Sequence, residues 1–111
     1  MDLHEVEEYA RQLALRFQPE RIILFGSHAA GSQSAHSDVD LLVLMDFQGS
    51  AQEQAYRIRR ELPRRFRLDL LVRRPEDVAR RVRSGDFFLR EILEKGRVLH
   101  ERAGARVAGE G

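Results

Sequence analysis

Asp38-Val39-Asp40-Leu41-Leu42-Val43-Leu44-Met45 decides the fold, because it sets two acids at the start of an apolar run. Residues 41–45 are rich in Leu and Val and are followed by turn-forming residues, which is typical of a buried strand. Residues two apart on a strand point to the same face. Asp38 and Asp40 are therefore predicted to project together, and their like charges repel each other unless a cation lies between them.

A second strand with an acid in its middle is predicted around Asp69, in Arg67-Leu68-Asp69-Leu70-Leu71-Val72. Burying an unpaired carboxylate there costs roughly several kcal/mol. A neighbouring strand that brings Asp69 beside the first two acids would let all three share one or two divalent ions, as in phosphoryl or nucleotidyl transfer. Oxygen ligands favour Mg²⁺. The alternative is an ion pair between Asp69 and Arg67 or Arg73.

A glycine turn ends the strand predicted before these acids, at Gly26-Ser27. Gly26 lets the backbone approach a ligand closely. Ser27 is a candidate N-cap of a short helix, whose free N–H groups together with the serine hydroxyl would suit phosphate. The pattern predicts a phosphate cradle beside the acidic site.

Gly26-Ser27, ten residues, Asp38-x-Asp40 and a later strand aspartate together resemble the signature of the DNA polymerase beta-type nucleotidyltransferase superfamily. The motifs lie within residues 20–73, and the small chain is most similar to the minimal nucleotidyltransferases, many of them encoded beside a HEPN-domain toxin. Members commonly read G-S-x-A-R-G, whereas this chain has Ala30 at the arginine position.

The resemblance implies an enzyme that moves AMP from ATP to a hydroxyl acceptor, with Mg²⁺ held by Asp38, Asp40 and Asp69 and phosphates held by Gly26 and Ser27. It implies that the acceptor is a tyrosine of a cognate HEPN toxin, so that the chain is an antitoxin acting by AMPylation. Two alternatives stay open. One is an antitoxin that neutralises its partner by binding, with weak or no catalysis, and the other is a nucleotidyltransferase acting on a small molecule such as an antibiotic.

Composition is that of one globular domain: 111 residues, 42% hydrophobic, 33% charged, net charge +1 and no cysteine. We expect a single domain over 1–102, a flexible tail over 103–111 and a cytoplasmic protein, since no apolar run is long enough to span a membrane. The arginine-rich segment 57–67 is interpreted as a solvated helix face, so direct nucleic-acid binding is not expected.

Periodicity predicts helices over 3–17, 51–62, 75 onward and 87–94, and strands over 21–25, 39–45 and 67–73. Ser50 is a candidate cap, and Lys95-Gly96 looks like a helix C-cap. Val98-Leu99 is predicted either to add a strand or simply to pack. The order indicates an α/β (α+β) fold, a small mixed sheet with helices packed on one face.

A site completed by a partner protein or by a second copy in a homo-oligomer is expected, because little chain remains to hold an acceptor. Phe87 and Phe88 are adjacent on a predicted helix and cannot both face one core. One of them is therefore expected to be exposed, where it could contact another chain.

Overall fold

The computed structural model describes residues 3–26, 29 and 38–104. The elements are α1 (Leu3–Phe17), β1 (Arg21–Phe25), β2 (Val39–Leu44), α2 (Ala51–Glu61), β3 (Leu68–Arg73), α3 (Pro75–Arg83), α4 (Phe87–Lys95) and β4 (Arg97–Glu101). The short helix predicted after Ser27 lies outside the described residues except for Ala29, and the other predicted elements are present with ends displaced by at most one residue. The segment around Val98 forms a strand. Ser27 and Ala30 lie outside the described residues, as does most of the expected tail.

The strands of the described chain form one mixed sheet in the order β3-β2-β1-β4. β1 pairs antiparallel with both β2 and β4, while β2 and β3 run parallel. The expected α/β class and mixed sheet are confirmed. Because β2 and β3 are parallel, their amino ends, which carry the acids, lie side by side.

Local signals in the sequence fix where two helices begin. Ser50 and Glu53 form a capping box at α2, in which the Glu53 amide donates to Ser50 Oγ at 3.0 Å and the Ser50 amide donates to Glu53 Oε1 at 3.2 Å. Asp86 caps α4 by accepting from the Leu89 amide at 3.0 Å. Such caps satisfy amides that have no partner inside the helix. No helix within 3–26 or 38–104 is long and apolar enough to cross a membrane.

Helices cover both faces of the sheet, so the expectation of helices on one face was wrong. One apolar cluster joins α1 and α2 to alternate strand residues, including Val39, Leu41 and Val43. A second cluster joins α3 and α4 to Ile23, Leu42 and their neighbours on the opposite face. The physical reason is the unbroken apolar run of β2, which buries consecutive residues and therefore needs cover on both sides.

Gly96 is the C-cap of α4, as expected, but its backbone is not left-handed. Its φ is −70°, and its amide donates to the Ile92 carbonyl at 2.8 Å. A Cβ at this position would collide with the Ile92 carbonyl oxygen and the Ile23 side chain. The glycine is needed because the turn into β4 lies directly against β1.

Candidate active site

A row of three side chains, here called the acidic row, crosses the sheet at the amino ends of β2 and β3: Phe25, Asp40 and Asp69. Asp40 pairs in register with Asp69 on one side and with Phe25 on the other. Register partners on adjacent strands share a face, with Cβ atoms about 5 Å apart. The row lies on the face of α3 and α4, since Phe25 packs against the cluster on that face.

The two acids of this row lie at the open end of the sheet. α3 and α4 cover the rows that contain Leu42 and Leu44, which are buried, whereas Asp40 is half-buried and Asp69 is exposed. The burial of Asp69 expected from its apolar neighbours was therefore wrong. Its strand is apolar because the other positions pack inward, while Asp69 itself lies beyond the covering helices and is accessible to a ligand.

Gly26 brings the turn after β1 against Asp40. Its φ is +76°, a conformation that only glycine adopts without strain. A Cβ on Gly26 would overlap a carboxylate oxygen of Asp40 and lie 3.2 Å from its Cγ. The structure thus places the predicted glycine turn directly beside the predicted acid. Ser27, its expected companion, is outside the described residues, and Ala29 is helical.

Asp38 immediately precedes β2 and forms an ion pair with an arginine. Arg67 Nε lies 3.0 Å from Asp38 Oδ1, and the two side chains are 77% and 48% exposed. An ion pair this exposed contributes about 0–1 kcal/mol and exchanges readily. Arg67 was a candidate partner of Asp69; in the structure it forms an ion pair with Asp38.

Comparison with known proteins fits this arrangement. The family model described as "Polymerase beta, Nucleotidyltransferase" matches residues 7–104. The chain belongs to this family. No curated protein matches the chain significantly. Among solved structures, "Crystal structure of the toxin-antitoxin with AMP-PNP" is similar with a TM-score of 0.55 and 24% identity, covering 86% of this chain and 73% of that one. That likeness bears on the fold alone.

Divalent metal ions, which the polymerase beta family uses, suit the chemistry of the three aspartates. Carboxylate oxygens are the donors that Mg²⁺ prefers, and Asp40 and Asp69 are adjacent at an accessible sheet edge. As the side chains of residues 3–26, 29 and 38–104 stand, no three acidic, His or Cys groups are gathered closely enough to hold a metal ion. Asp38 is the third candidate donor, and its ion pair with the exposed Arg67 costs only about 0–1 kcal/mol to break, so the donor chemistry suits a divalent ion.

The structure has a groove beside Gly26 that the sequence pattern does not predict. It measures about 470 Å³ and lies between the end of β1 and one face of α4. The residues of α4 that line it are Phe88, Glu91, Ile92 and Lys95. Their spacing of three and four residues marks one face of a helix. These residues of α4 are far from the acids in the sequence. Their position near the acids follows from the tertiary contact between this face of α4 and the glycine turn.

Proposed function

We propose that this member of the polymerase beta family is a Mg²⁺-dependent nucleotidyltransferase that transfers AMP from ATP to a tyrosine hydroxyl of a HEPN-domain toxin. The observation that carries the proposal is the register pairing of Asp40 with Asp69 beside Gly26. Two accessible carboxylates against a close-approaching backbone turn suit a metal-bound triphosphate.

In the proposed reaction, the acceptor hydroxyl oxygen forms a bond to the α-phosphorus of ATP. The bond from that phosphorus to the bridging oxygen of the β-phosphate breaks, and pyrophosphate leaves. Asp69 accepts or orients the proton of the hydroxyl, a role its exposure supports. Asp38, Asp40 and Asp69 would hold the Mg²⁺ ion, which would supply positive charge to the triphosphate, and Gly26 and Ser27 would receive the phosphates.

The toxin as acceptor is proposed on two grounds. The chain resembles minimal nucleotidyltransferases encoded beside HEPN toxins, and the similar solved structure is described as a toxin–antitoxin with AMP-PNP. An acceptor presented by a separate protein also suits an acidic row that is open to solvent.

A second candidate is an antitoxin that acts by binding alone. Two observations favour it: Arg67 forms an ion pair with Asp38, and the described acids are not gathered into a metal-binding set. The two candidates differ in whether the partner is covalently changed.

The test is intact-mass spectrometry after incubation with Mg²⁺, ATP and the HEPN-domain protein encoded beside the gene. We expect the partner to gain the mass of one or more AMP groups. Asp69→Asn should abolish the gain. The matched control is Asp46→Asn, the same change at an exposed acid just beyond the other end of β2, which should leave transfer unchanged.

A stable complex without any mass gain would favour the binding antitoxin. If the partner neither forms a complex nor is modified, both candidates are rejected. Full transfer by Asp69→Asn would reject the role assigned to that carboxylate while leaving the activity itself standing.

A further inference from the structure

The groove beside Gly26 continues directly from the acidic row. Gly26 lines the groove on one side, and a Cβ added to it would overlap the carboxylate of Asp40 on the other. Phe25, the register partner of Asp40, also lines it. A molecule held at the acids by one end could therefore extend into the groove with its other end.

Phe88 gives the groove an aromatic wall. Its ring meets the Phe25 ring edge-on, with centroids 5.9 Å apart and planes at 83°. Despite this contact, Phe88 is 57% exposed. An edge-on neighbour leaves at least one ring face open for stacking.

We propose that this groove binds the purine base of the nucleotide, stacked on Phe88. This proposal rests on the proposed function, in which the triphosphate lies at Gly26 and the acids. The volume of about 470 Å³ falls within the roughly 300–1,000 Å³ typical of small-ligand sites. A nucleobase is the flat apolar end of a nucleotide, and the groove beside the acids has the aromatic side chains Phe25 and Phe88 in its lining.

The rim of the groove offers both kinds of hydrogen-bonding group that a purine edge requires. Glu91 and Lys95 line it one helical turn apart, and Lys95 Nζ lies 3.5 Å from Glu91 Oε1. Lys95 donates and Glu91 accepts, so the pair complements a base edge that carries both a ring acceptor and a donor amino group, as in adenine. Both side chains are largely exposed and free to turn toward a base.

The binding test uses Mg²⁺ with either ATP or inorganic tripolyphosphate, which lacks a base. Phe88→Ala should weaken ATP binding about tenfold or more, the usual worth of one base–aromatic stack, and leave tripolyphosphate binding unchanged. Phe87→Ala is the matched control, because Phe87 is the adjacent ring, is 76% exposed and does not line the groove. It should change neither affinity.

A fluorescence test uses the absence of tryptophan from the chain. Phe88→Trp creates a single reporter that keeps the stacking ring, so it should retain ATP affinity and be quenched by ATP but not by tripolyphosphate. Phe87→Trp should not be quenched by either. Circular dichroism melts confirm that each variant is folded.

The outcomes separate this proposal from the function on which it rests. If ATP binds the native protein and Phe88→Ala binds it within about twofold, the base site is overturned and the nucleotidyltransferase stands. A variant that binds ATP normally but needs more partner protein for transfer would also overturn the base site, since Phe88 would then serve the acceptor. If the native protein binds neither ATP nor tripolyphosphate, the proposed function fails, and the base site fails with it.

Discussion

Replacing Gly26 with alanine tests the contact that joins the glycine turn to the acidic row. The change imposes two costs. A non-glycine residue at φ +76° is strained by about 1–2 kcal/mol. The new Cβ also overlaps the Asp40 carboxylate, which must move to a poorer rotamer at a further cost of about 0.5–1.5 kcal/mol. We expect a loss of about 1.5–3.5 kcal/mol in the free energy of unfolding.

Gly85→Ala is the matched control. Gly85 has φ +98°, and a Cβ there would meet nothing within 4 Å, so it carries the backbone strain without the collision. At about 4 °C per kcal/mol for a chain of this size, Tm should fall by about 6–14 °C for Gly26→Ala and about 4–8 °C for the control. Thermal unfolding followed by circular dichroism measures both.

An assay of metal-dependent ATP binding distinguishes damage to the site from a general loss of stability. Gly26→Ala should lose it below its Tm, because the displaced Asp40 no longer faces the turn, while Gly85→Ala should keep it. Equal melting temperatures for the two variants together with intact ATP binding by Gly26→Ala would refute the reasoning. The contact with Asp40 would then be unimportant for both folding and the site.

Three further changes have distinct expected results. Leu13→Ala empties a fully buried position and should cost about 2–5 kcal/mol in urea unfolding, whereas Leu15→Ala, at a side chain 64% exposed on the same helix, should cost less than about 0.5 kcal/mol. Arg67→Gln should change the free energy of unfolding by less than about 1 kcal/mol. It should also raise the affinity for Mn²⁺, measured by electron paramagnetic resonance, because the arginine no longer competes with the ion for a carboxylate 3.0 Å from its Nε. Weaker Mn²⁺ binding would contradict this. Hydrogen bonds from Arg11 and then Gln12 lower the pKa of Glu8 from 4.5 to about 2, so the small stabilisation is present above pH 4.5 and is lost as the pH falls toward 2. An NMR titration should show the midpoint returning toward 4.5 in Arg11→Gln, and an unmoved midpoint would exclude this cause.

Much of the fold follows from local patterns in the sequence. The spacing of Val6, Ala10 and Leu13 predicts the buried face of α1, and these residues are buried. Ser50 is predicted to cap α2 and does so, and the structure adds that Glu53 completes a capping box with it. These signals are readable because helix periodicity and capping depend on residues three or four positions apart.

The three aspartates show which features of the site the sequence pattern predicts and which it does not. Asp38 and Asp40 are predicted to share a face from their spacing alone, and Asp40 pairs with Asp69 because two acid-bearing strands run parallel in the correct register. Burial and partners were less predictable. Asp69 is exposed and Asp38 contacts Arg67, since both depend on where α3 and α4 stop covering the sheet and on which side chains reach the edge.

The sequence by itself determined the helices, the strands, the motif of glycine turn and three aspartates, and through them the family. The tertiary structure decided that helices cover both sheet faces, that Gly26 contacts Asp40, and that Phe88 lines a groove leading from the acids. The physical reason is range. Helix, strand and cap preferences act between near neighbours in the chain, whereas a site is assembled from residues that only strand register and packing bring together.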